Sequence, residues 1–407
     1  MKRIAYLTLS VLAVISGGVV FSSCDSTHST DQSHLIYFGI TEPYAKVGGI
    51  AFTINQLTRE ITNDDPIPGN VDLKSVKPWF ATNDGSLQVK VKGVLQTSGV
   101  TKQDLSSPVE YVVESPEGSI KYTVNLTQSS TTQTQVGIKL IKASPLLVND
   151  IESEKETWLS DKARFTELVF KTAEDLKWRL SVIEADLSDG ALSLRPLLPE
   201  GLTEAPQEGL EWPVATVMEQ AKSAAGKGTK VLAAVSADYA MSGTNAPEGG
   251  LIIDGKPWKS SFKTDNGNYY FGLRTDGRLS IGSGPTFLAL MEKLSQAVSG
   301  RELLLDSGAA PSGLNKTSRA PRIVAGMDSY DLKTLYLVSL DVVGSSSGCT
   351  LAEMAELMLD LGAAHAVCLL GGDKAQFVVK DGSDLRAVNT EESNFVPVVN
   401  SLALVLK

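Results

Sequence analysis

The chain has 407 residues, enough for two or three domains with at least one sizeable core, and 42% of them are hydrophobic and 21% charged. This composition is typical of a globular protein. The formal net charge of −10 argues against a nucleic-acid partner, because neutralising phosphates requires clustered Lys and Arg.

The few histidine and cysteine residues argue against catalytic triads and metal sites that depend on these side chains. There are three of each. His28 and His34 lie in a polar N-terminal tail, and His365 lies in an apolar stretch that favours a packed or boundary residue. A histidine-based triad or a zinc site is therefore not expected. Cys349 and Cys368 have no CxxC partner and are predicted to act as small buried hydrophobes.

Residues 1–23 have the pattern of a bacterial lipoprotein signal peptide. Lys2 and Arg3 precede an apolar run over 4–20, and small residues then lead to Cys24, the predicted lipidation site. Phe21 departs from the leucine usual at that position. The alternative is an uncleaved membrane anchor, although the run is near the lower limit of roughly 17 residues for a span. The expected localisation is the cell envelope, lipid-anchored, at the outer membrane or cell surface.

Residues 24–34 are polar and suit a flexible tether, whereas residues 35–145 change to a period of two. Short alternating strands separated by turn signals predict a β-sandwich. The alternating apolar residues are Leu87, Val89 and Val91, then Val109, Tyr111 and Val113, then Ile120, Tyr122, Val124 and Leu126.

The order of the pieces SVKPWFA, LQVKVKGVLQTSGVTKQDLSSPVEYVV and KYTVNL resembles the immunoglobulin-like modules of Bacteroidetes surface lipoproteins. The resemblance implies a spacer or a binding module. A structural spacer is favoured, since no ionisable residues cluster there.

Residues 141–158 are interpreted as a mixed linker that leads to a second domain over 160–407. Strands and helices mix there without strict βαβ alternation, which indicates an α+β fold. The predicted helices cover 214–225 and 285–298, and the predicted strands cover 178–186, 192–194, 230–236, 251–253, 269–274, 278–281, 303–305, 323–326 and 334–341.

The stretch 345–379 reads as a loop, a helix, a strand, a glycine turn and a second strand. Thr350 and Glu353 fit a capping box, apolar residues then recur at helical spacing, and Gly362 provides the stop. An apolar strand over 366–370 leads into Gly371 and Gly372, where the backbone can turn sharply or approach a ligand closely.

This stretch, TLAEMAELMLDLGAAHAVCLLGGDKA, resembles the C-terminal signature of the phosphodiester glycosidase family, "TLxELAxLMxxLGAxxAxNLDGGGS". Further motifs resemble the family in order: VLAAVSADYA, PEGGLIIDGKP, FGLRTDGRL, PRIVAG, YLVSLDVVG and NFVPVVNSL. The resemblance covers roughly residues 177–407. It implies a phosphodiester-glycosidase-like α+β domain after the N-terminal all-β immunoglobulin-like sandwich, and a sugar phosphodiester or related glycan as partner.

Carried over residue by residue, the resemblance implies two sets of site residues. The catalytic candidates are Asp238, Arg322, Asp341 and Asp373, and the substrate-binding candidates are Ser236, Tyr239, Gly249, Gly371 and Gly372. It implies no metal ligand and leaves any cofactor unknown. Four polar family positions are replaced, an asparagine, two arginines and an aspartate, by Ser236, Val343, Val396 and Leu370.

Valine and leucine can neither bind a phosphate nor protonate a leaving group. Two hypotheses stay open. Either the altered site still hydrolyses a sugar-1-phosphodiester or related linkage, or the domain is a non-catalytic glycan-binding or structural protein of the envelope. In the second case, Leu370 is expected to pack in apolar surroundings with Val343 or Val396.

Overall fold

A computed structural model describes residues 34–41, 49–69, 71–116, 118–129, 133–263 and 268–407. The predicted signal peptide, Cys24 and nearly all of the predicted tether therefore lie outside the described residues. Within these ranges, the helices fall short of the length and apolar character that crossing a membrane would require.

The N-terminal part is built from strands. Val89, Val91, Tyr111, Val113 and Tyr122 point into one core because alternate residues of a strand face the same side. A pair β1–β4 packs on a six-stranded sheet of order β2-β3-β8-β7-β5-β6. The strands are β1 (Leu35–Gly39), β2 (Phe52–Asn55), β3 (Glu60–Asn63), β4 (Trp79–Thr82), β5 (Gln88–Val91), β6 (Val94–Leu95), β7 (Val109–Ser115) and β8 (Gly118–Val124).

The C-terminal part combines three antiparallel sheets with four helices, and strands predominate. The helices are α1 (Gln135–Ala143), α2 (Val217–Gly226), α3 (Gly284–Leu290) and α4 (Leu351–Leu361). The strands are β9 (Asp150–Ser160), β10 (Ala163–Lys171), β11 (Lys177–Asp186), β12 (Leu192–Leu197), β13 (Lys230–Ser236), β14 (Leu251–Ile253), β15 (Lys256–Lys259), β16 (Tyr269–Arg274), β17 (Leu279–Ser283), β18 (Leu294–Gly300), β19 (Glu302–Leu305), β20 (Arg322–Met327), β21 (Thr334–Val342), β22 (His365–Cys368), β23 (Phe377–Asp381), β24 (Asp384–Ala387) and β25 (Ser401–Leu406).

Two of the sheets stack face to face. The seven-stranded sheet has the order β19-β22-β20-β21-β11-β10-β9, and a five-stranded sheet has the order β12-β25-β13-β23-β24. One face of the larger sheet packs on α1 and α4, and its other face packs on the five-stranded sheet. Helix α2 covers the outer face of the five-stranded sheet. The third sheet, β15-β14-β18-β16-β17, closes the side of this stack.

Helix α4 forms as its sequence predicts. The Thr350 hydroxyl accepts a hydrogen bond from the Glu353 amide, and the Glu353 carboxylate accepts one from the Thr350 amide, which completes the capping box. Gly362 then adopts φ 104°, a left-handed conformation that favours glycine, and ends the helix. The predicted strand 230–236 and the hairpins at 254–255 and 276–277 are likewise confirmed.

Two predictions are wrong. Residues 285–298 are not one helix: α3 ends at Leu290, and β18 starts at Leu294 as a central strand buried on both faces. A strand with two buried faces has a continuous apolar pattern that periodicity cannot distinguish from a helix.

Residues 141–158 are not a linker, because they end α1 and supply most of β9, which pairs with β10 along its length. β9 is an edge strand with many charged residues, which is why it resembles a linker in sequence. The domain bounds 35–145 and 160–407, and the immunoglobulin-like topology of the first part, remain predictions.

Candidate functional site

Asp238 follows the end of β13 and is fully buried. One carboxylate oxygen accepts hydrogen bonds from the Ser299 amide, at 2.8 Å, and from the Ser299 hydroxyl. The other accepts one from the Asn400 side-chain amide at 2.5 Å. Burial raises the pKa of Asp238 to about 7, against the opposing effect of these hydrogen bonds. The carboxyl group can therefore be protonated or ionised near neutral pH.

Position 249 must be glycine because Ser299 packs directly against its backbone. A Cβ atom at position 249 would lie 2.5 Å from the Ser299 Cβ, a separation that real side chains do not reach. Gly249 therefore helps to set Ser299 against Asp238. Ser236, by contrast, is fully buried in β13, and its hydroxyl accepts a hydrogen bond from the Gln376 amide at 3.2 Å. That contact connects the end of β13 to the residue before β23, and the substrate-binding role of Ser236 stays a prediction.

A cavity of about 70 Å³ lies beside Asp238, and Leu370 and Lys374 are part of its wall. The Leu370 amide donates a hydrogen bond at 2.9 Å to the carbonyl of Ala237, the residue before Asp238, which brings Leu370 close to Asp238. Leu370 is only 4% exposed and belongs to an apolar cluster with Phe395 and Val398. The apolar surroundings of Leu370 are as predicted, but the predicted partners are wrong, because neither Val343 nor Val396 belongs to that cluster.

Arg322, which is buried, and Glu302, which is half-buried, carry opposite charges that interact near the glycine turn. The Arg322 Nη2 donates to the Ser318 carbonyl at 3.2 Å, whereas its buried Nε has no hydrogen-bond partner among the described residues. The same holds for the buried Oε2 of Glu302. Burial raises the pKa of Glu302, and the charges of Arg322 and Arg301 oppose that rise. These two unpartnered atoms leave hydrogen-bonding capacity in a site largely shielded from water.

The glycine turn packs directly on the backbone before Arg322. The Gly372 amide donates a hydrogen bond to the Pro321 carbonyl at 3.0 Å, and a Cβ at position 371 would lie 2.8 Å from the same oxygen. Gly371 therefore permits a close approach that another residue would prevent. The segment 370–372 thus contacts the residue before Asp238 through Leu370 and the residue before Arg322 through Gly372.

A further ionic group stacks on Tyr239. Arg301 lies over the Tyr239 ring, and its Nε and Nη2 each donate to the Glu248 carboxylate at 2.9 Å. The ammonium group of Lys263 lies 3.3 Å from the same carboxylate. Burial would raise the pKa of Glu248, but the hydrogen bonds and charges of Arg301 and Lys263 outweigh it and leave the pKa below its usual value. Glu248 is thus held ionised although it is buried.

Asp341 and Asp373 do not join this site. Arg322 on β20 pairs with Leu340 on β21, so these two side chains point to the same face of the sheet. Asp341 follows Leu340 in β21, and its side chain therefore points to the opposite face. Asp341 instead faces Arg179 on β11 and accepts a hydrogen bond from its neighbouring amide. Asp373 is exposed in a single turn over 372–374. The four catalytic candidates therefore do not form one constellation.

Sequence reasoning missed four residues that build the site: Glu248, Ser299, Arg301 and Glu302. Glu248 lies inside the motif PEGGLIIDGKP, and its position in a family motif is the signal that could have identified it as a site residue. The other three lie at or just after the end of β18, a buried strand that ends at Gly300. Periodicity predicts a helix over most of that strand, so the sequence does not indicate these residues. Among the described residues, no group of three or more His, Cys, Asp or Glu side chains is placed to hold a metal ion.

Comparison with known proteins identifies the class of domain. Residues 229–405 match the model of the phosphodiester glycosidase family, and residues 24–126 match the N-terminal domain of DUF6242, a domain of unknown function. The chain thus contains a domain of the phosphodiester glycosidase family, as its motifs indicate. No curated protein matches the chain.

The solved structures that are similar to this chain include the following two. One is the catalytic domain of zebrafish N-acetylglucosamine-1-phosphodiester α-N-acetylglucosaminidase, auto-inhibited by its pro-peptide, at 19% identity, with 63% of this chain and 88% of that chain covered and a TM-score of 0.46. The other is a hypothetical protein from Synechocystis, at 12% identity, with 82% of this chain and 74% of that chain covered and a TM-score of 0.44.

Proposed function

We propose that this chain is an exported lipoprotein whose C-terminal domain recognises a sugar phosphodiester or a related glycan without hydrolysing it efficiently. The family match supports the glycosidase-related part of the proposal. The signal-peptide pattern before Cys24 supports anchoring in the cell envelope, at the outer membrane or cell surface.

The observation that carries the proposal is that, among the described residues, Asp238 is the one carboxylate in the wall of its cavity. Glycosidases that use acid–base chemistry place two carboxyl groups on either side of the bond to be cleaved. Here the ionisable side chains in the cavity wall are Asp238 and Lys374, and Leu370 stands where the family resemblance implies an aspartate. Asp341 does not supply a second carboxylate, because it is not part of this cavity wall and instead faces Arg179 on β11.

The polar groups that remain suit recognition of a phosphodiester. Arg322 has an unpartnered buried Nε, which can donate to a phosphate oxygen. Tyr239 presents an aromatic ring held in place by Arg301, and such rings pack well against the apolar face of a sugar. A charged donor and an aromatic ring therefore lie beside the segments that carry Asp238, although neither side chain lines the cavity itself.

Hydrolysis is the second candidate, and one observation favours it. A general acid works best when its pKa lies near the working pH, and burial raises the pKa of Asp238 to about 7. In that case Asp238 would protonate the leaving group, and a water molecule would attack the sugar without a second carboxylate to activate it.

The two candidates are separated by measuring binding and turnover with the same probe. The methyl phosphodiester of N-acetylglucosamine 1-phosphate is added to the purified full-length chain; calorimetry measures binding, and release of N-acetylglucosamine measures hydrolysis. We expect binding that Arg322→Gln weakens by about tenfold, as is usual for loss of a charged hydrogen bond. We expect no release above the rate in buffer.

Asp373→Asn is the matched control, since Asp373 is exposed and outside the cavity, and it should leave binding unchanged. Release of sugar that Asp238→Asn abolishes would replace the binding proposal by the hydrolytic one. Absence of both binding and release would overturn both.

A further inference from the structure

A second cavity, of about 950 Å³, lies away from the site described above. Its wall is formed by β12, the C-terminal end of α2 with the start of β13, the β14–β15 hairpin and the end of β25. Its volume is within the range of about 300–1,000 Å³ that is usual for ligand pockets. We call this cavity the basic groove and define it by Arg195, Lys227, Lys230, Lys256 and Trp258.

The basic groove and the cavity beside Asp238 lie at opposite ends of one strand. Lys230, the first residue of β13, lines the groove, whereas Asp238 follows the last residue of that strand, Ser236. A strand rises about 3.3 Å per residue, so the two places are about 20 Å apart along β13. They share no lining residue. A ligand in the groove would therefore not occupy the candidate site.

The charge of the basic groove is opposite to that of the chain. The chain carries a formal net charge of −10. Apart from Lys407, the ionisable side chains that line the groove are four cations and one carboxylate. That carboxylate, Asp254, is already paired with Arg195 at 2.8 Å and accepts a hydrogen bond from Gln296.

Three lysines of the groove, Lys227, Lys230 and Lys256, are therefore uncompensated. All three are exposed, and none forms an ion pair with another described residue. Lys227 and Lys230 lie at the two ends of the α2–β13 connection and Lys256 lies at the start of β15; all three line one concavity, where their mutual repulsion favours a bound anion.

The remainder of the wall is suited to a sugar. Trp258 is half-buried and packs against the main core, so its indole is a fixed apolar surface at the groove. Leu202 extends that apolar surface, and the hydroxyl groups of Ser193, Thr203 and Thr229 line the groove beside it. Fixed aromatic rings combined with a few polar groups are typical of ligand sites, and an indole can lie against the C–H face of a pyranose ring.

We infer that the basic groove binds a short anionic oligosaccharide, one whose sugars carry carboxylate or phosphate groups. The lysines would neutralise the anionic groups while Trp258 contacts the sugar ring. The acidic charge of the rest of the chain would repel a long polyanion beyond the groove, which restricts the ligand to a short chain or a chain end. This inference does not depend on the function proposed for the cavity beside Asp238.

The test measures binding of defined oligosaccharides to the purified full-length chain by calorimetry at low ionic strength. Tetragalacturonate supplies carboxylates, a phosphomannan oligosaccharide supplies phosphates, and chitotetraose is the neutral comparison. We expect at least one anionic probe to bind, and the neutral probe to bind at least about tenfold more weakly because it lacks the charge attraction. Raising the salt concentration should weaken the anionic complex.

Variants then locate the site. Lys230→Ala combined with Lys256→Ala should weaken the anionic probe by at least about tenfold at low salt, and Trp258→Leu should weaken it as well. The matched control combines Lys222→Ala with Lys380→Ala, two exposed lysines outside the groove, which change the net charge equally. Thermal unfolding shows whether each variant is folded.

Three results would overturn the inference. One is the absence of binding by either anionic probe. A second is equal weakening by the groove variant and the control variant, which would indicate a general charge effect. The third is tighter binding of a short single-stranded DNA or of anionic lipid vesicles than of either oligosaccharide, which would assign the groove to another class of ligand.

Discussion

The guanidinium carbon of Arg301 lies 3.8 Å from the centre of the Tyr239 ring. The same guanidinium donates two hydrogen bonds to the buried carboxylate of Glu248. One side chain thus joins the turn after β18, the segment after β13 and the segment before β14. This contact fixes the aromatic surface of the candidate site relative to Asp238, which is adjacent to Tyr239 in the chain.

Replacing Arg301 by glutamine should lower the free energy of unfolding by about 2–4 kcal/mol, because the buried Glu248 would keep only Lys263 as a charged partner. Denaturant unfolding at pH 7 measures this loss. Arg274→Gln is the control: its partner Asp276 is exposed, so the expected loss is within about 1 kcal/mol. An equally small loss for Arg301→Gln would show that Glu248 is hydrated.

Asp238 should make the stability of the domain depend on pH. Burial raises its folded-state pKa from 3.8 to about 7, so between these values the folded state binds the proton more tightly than the unfolded state. The stabilising effect is complete below pH 3.8 and is lost as the pH rises to about 7. It corresponds to at most about 4 kcal/mol.

The measurement compares the free energy of unfolding of the wild type and of Asp238→Asn from pH 4 to pH 8. The wild type should lose stability relative to the variant as the pH rises, because asparagine does not titrate. Asp373→Asn, at an exposed site, should run parallel to the wild type. A constant difference between wild type and Asp238→Asn would show that the carboxyl group does not titrate in this range.

Leu370→Asp should destabilise the domain by roughly 2–4 kcal/mol, the cost of burying an unpaired polar group. Leu370 is 4% exposed in an apolar cluster, and the new carboxylate would share a cavity with Asp238. It should not restore hydrolysis of the phosphodiester probe. Leu359→Asp, at an exposed position of α4, is the control and should cost little.

Two results would contradict this account of position 370. No loss of stability in Leu370→Asp would show that the position is hydrated. A gain in turnover would show that the cavity is still competent for hydrolysis, and the second candidate function would then be favoured.

Local signals in the sequence predicted much of the framework and part of the site. Hairpins marked by Asp-Gly pairs, the buried strand 230–236 and the capping box of α4 depend on nearby residues, and all of them form. The position of Asp238 after that strand, in a family motif, predicts a site residue, and Asp238 lies in a buried polar site.

The relative directions of side chains on different strands could not be predicted. Whether Arg322 and Asp341 meet depends on the register of β20 and β21, and the pairing of Arg322 with Leu340 separates them. A shift of one residue would place the two side chains on one face. Arg301 and Glu248 meet only through tertiary contacts, so their ion pair has no local sequence signal.

Cys24 is predicted to carry a lipid. Mass spectrometry of the chain extracted from membranes should find an N-terminal peptide that begins at a modified Cys24, because the residues before it match a lipoprotein signal. Cys24→Ser should abolish the lipid-modified N-terminal peptide, whereas Cys349→Ser, at a buried position far along the chain, should leave it unchanged. An intact Met1 or an unmodified Cys24 would contradict the prediction.

The last prediction concerns where the C-terminal part begins as a folding unit. A fragment of residues 133–407 should be markedly more stable and soluble than a fragment of residues 160–407. The shorter fragment lacks α1 and β9, and with them the fully buried side chains of Val136, Leu140 and Val148. Their burial contributes on the order of 5 kcal/mol. Removing β9 would also expose the edge of β10, which can then pair with another chain. Denaturant unfolding and light scattering of both fragments measure the two effects, and equal stability would show that the predicted start of the domain at residue 160 is sufficient.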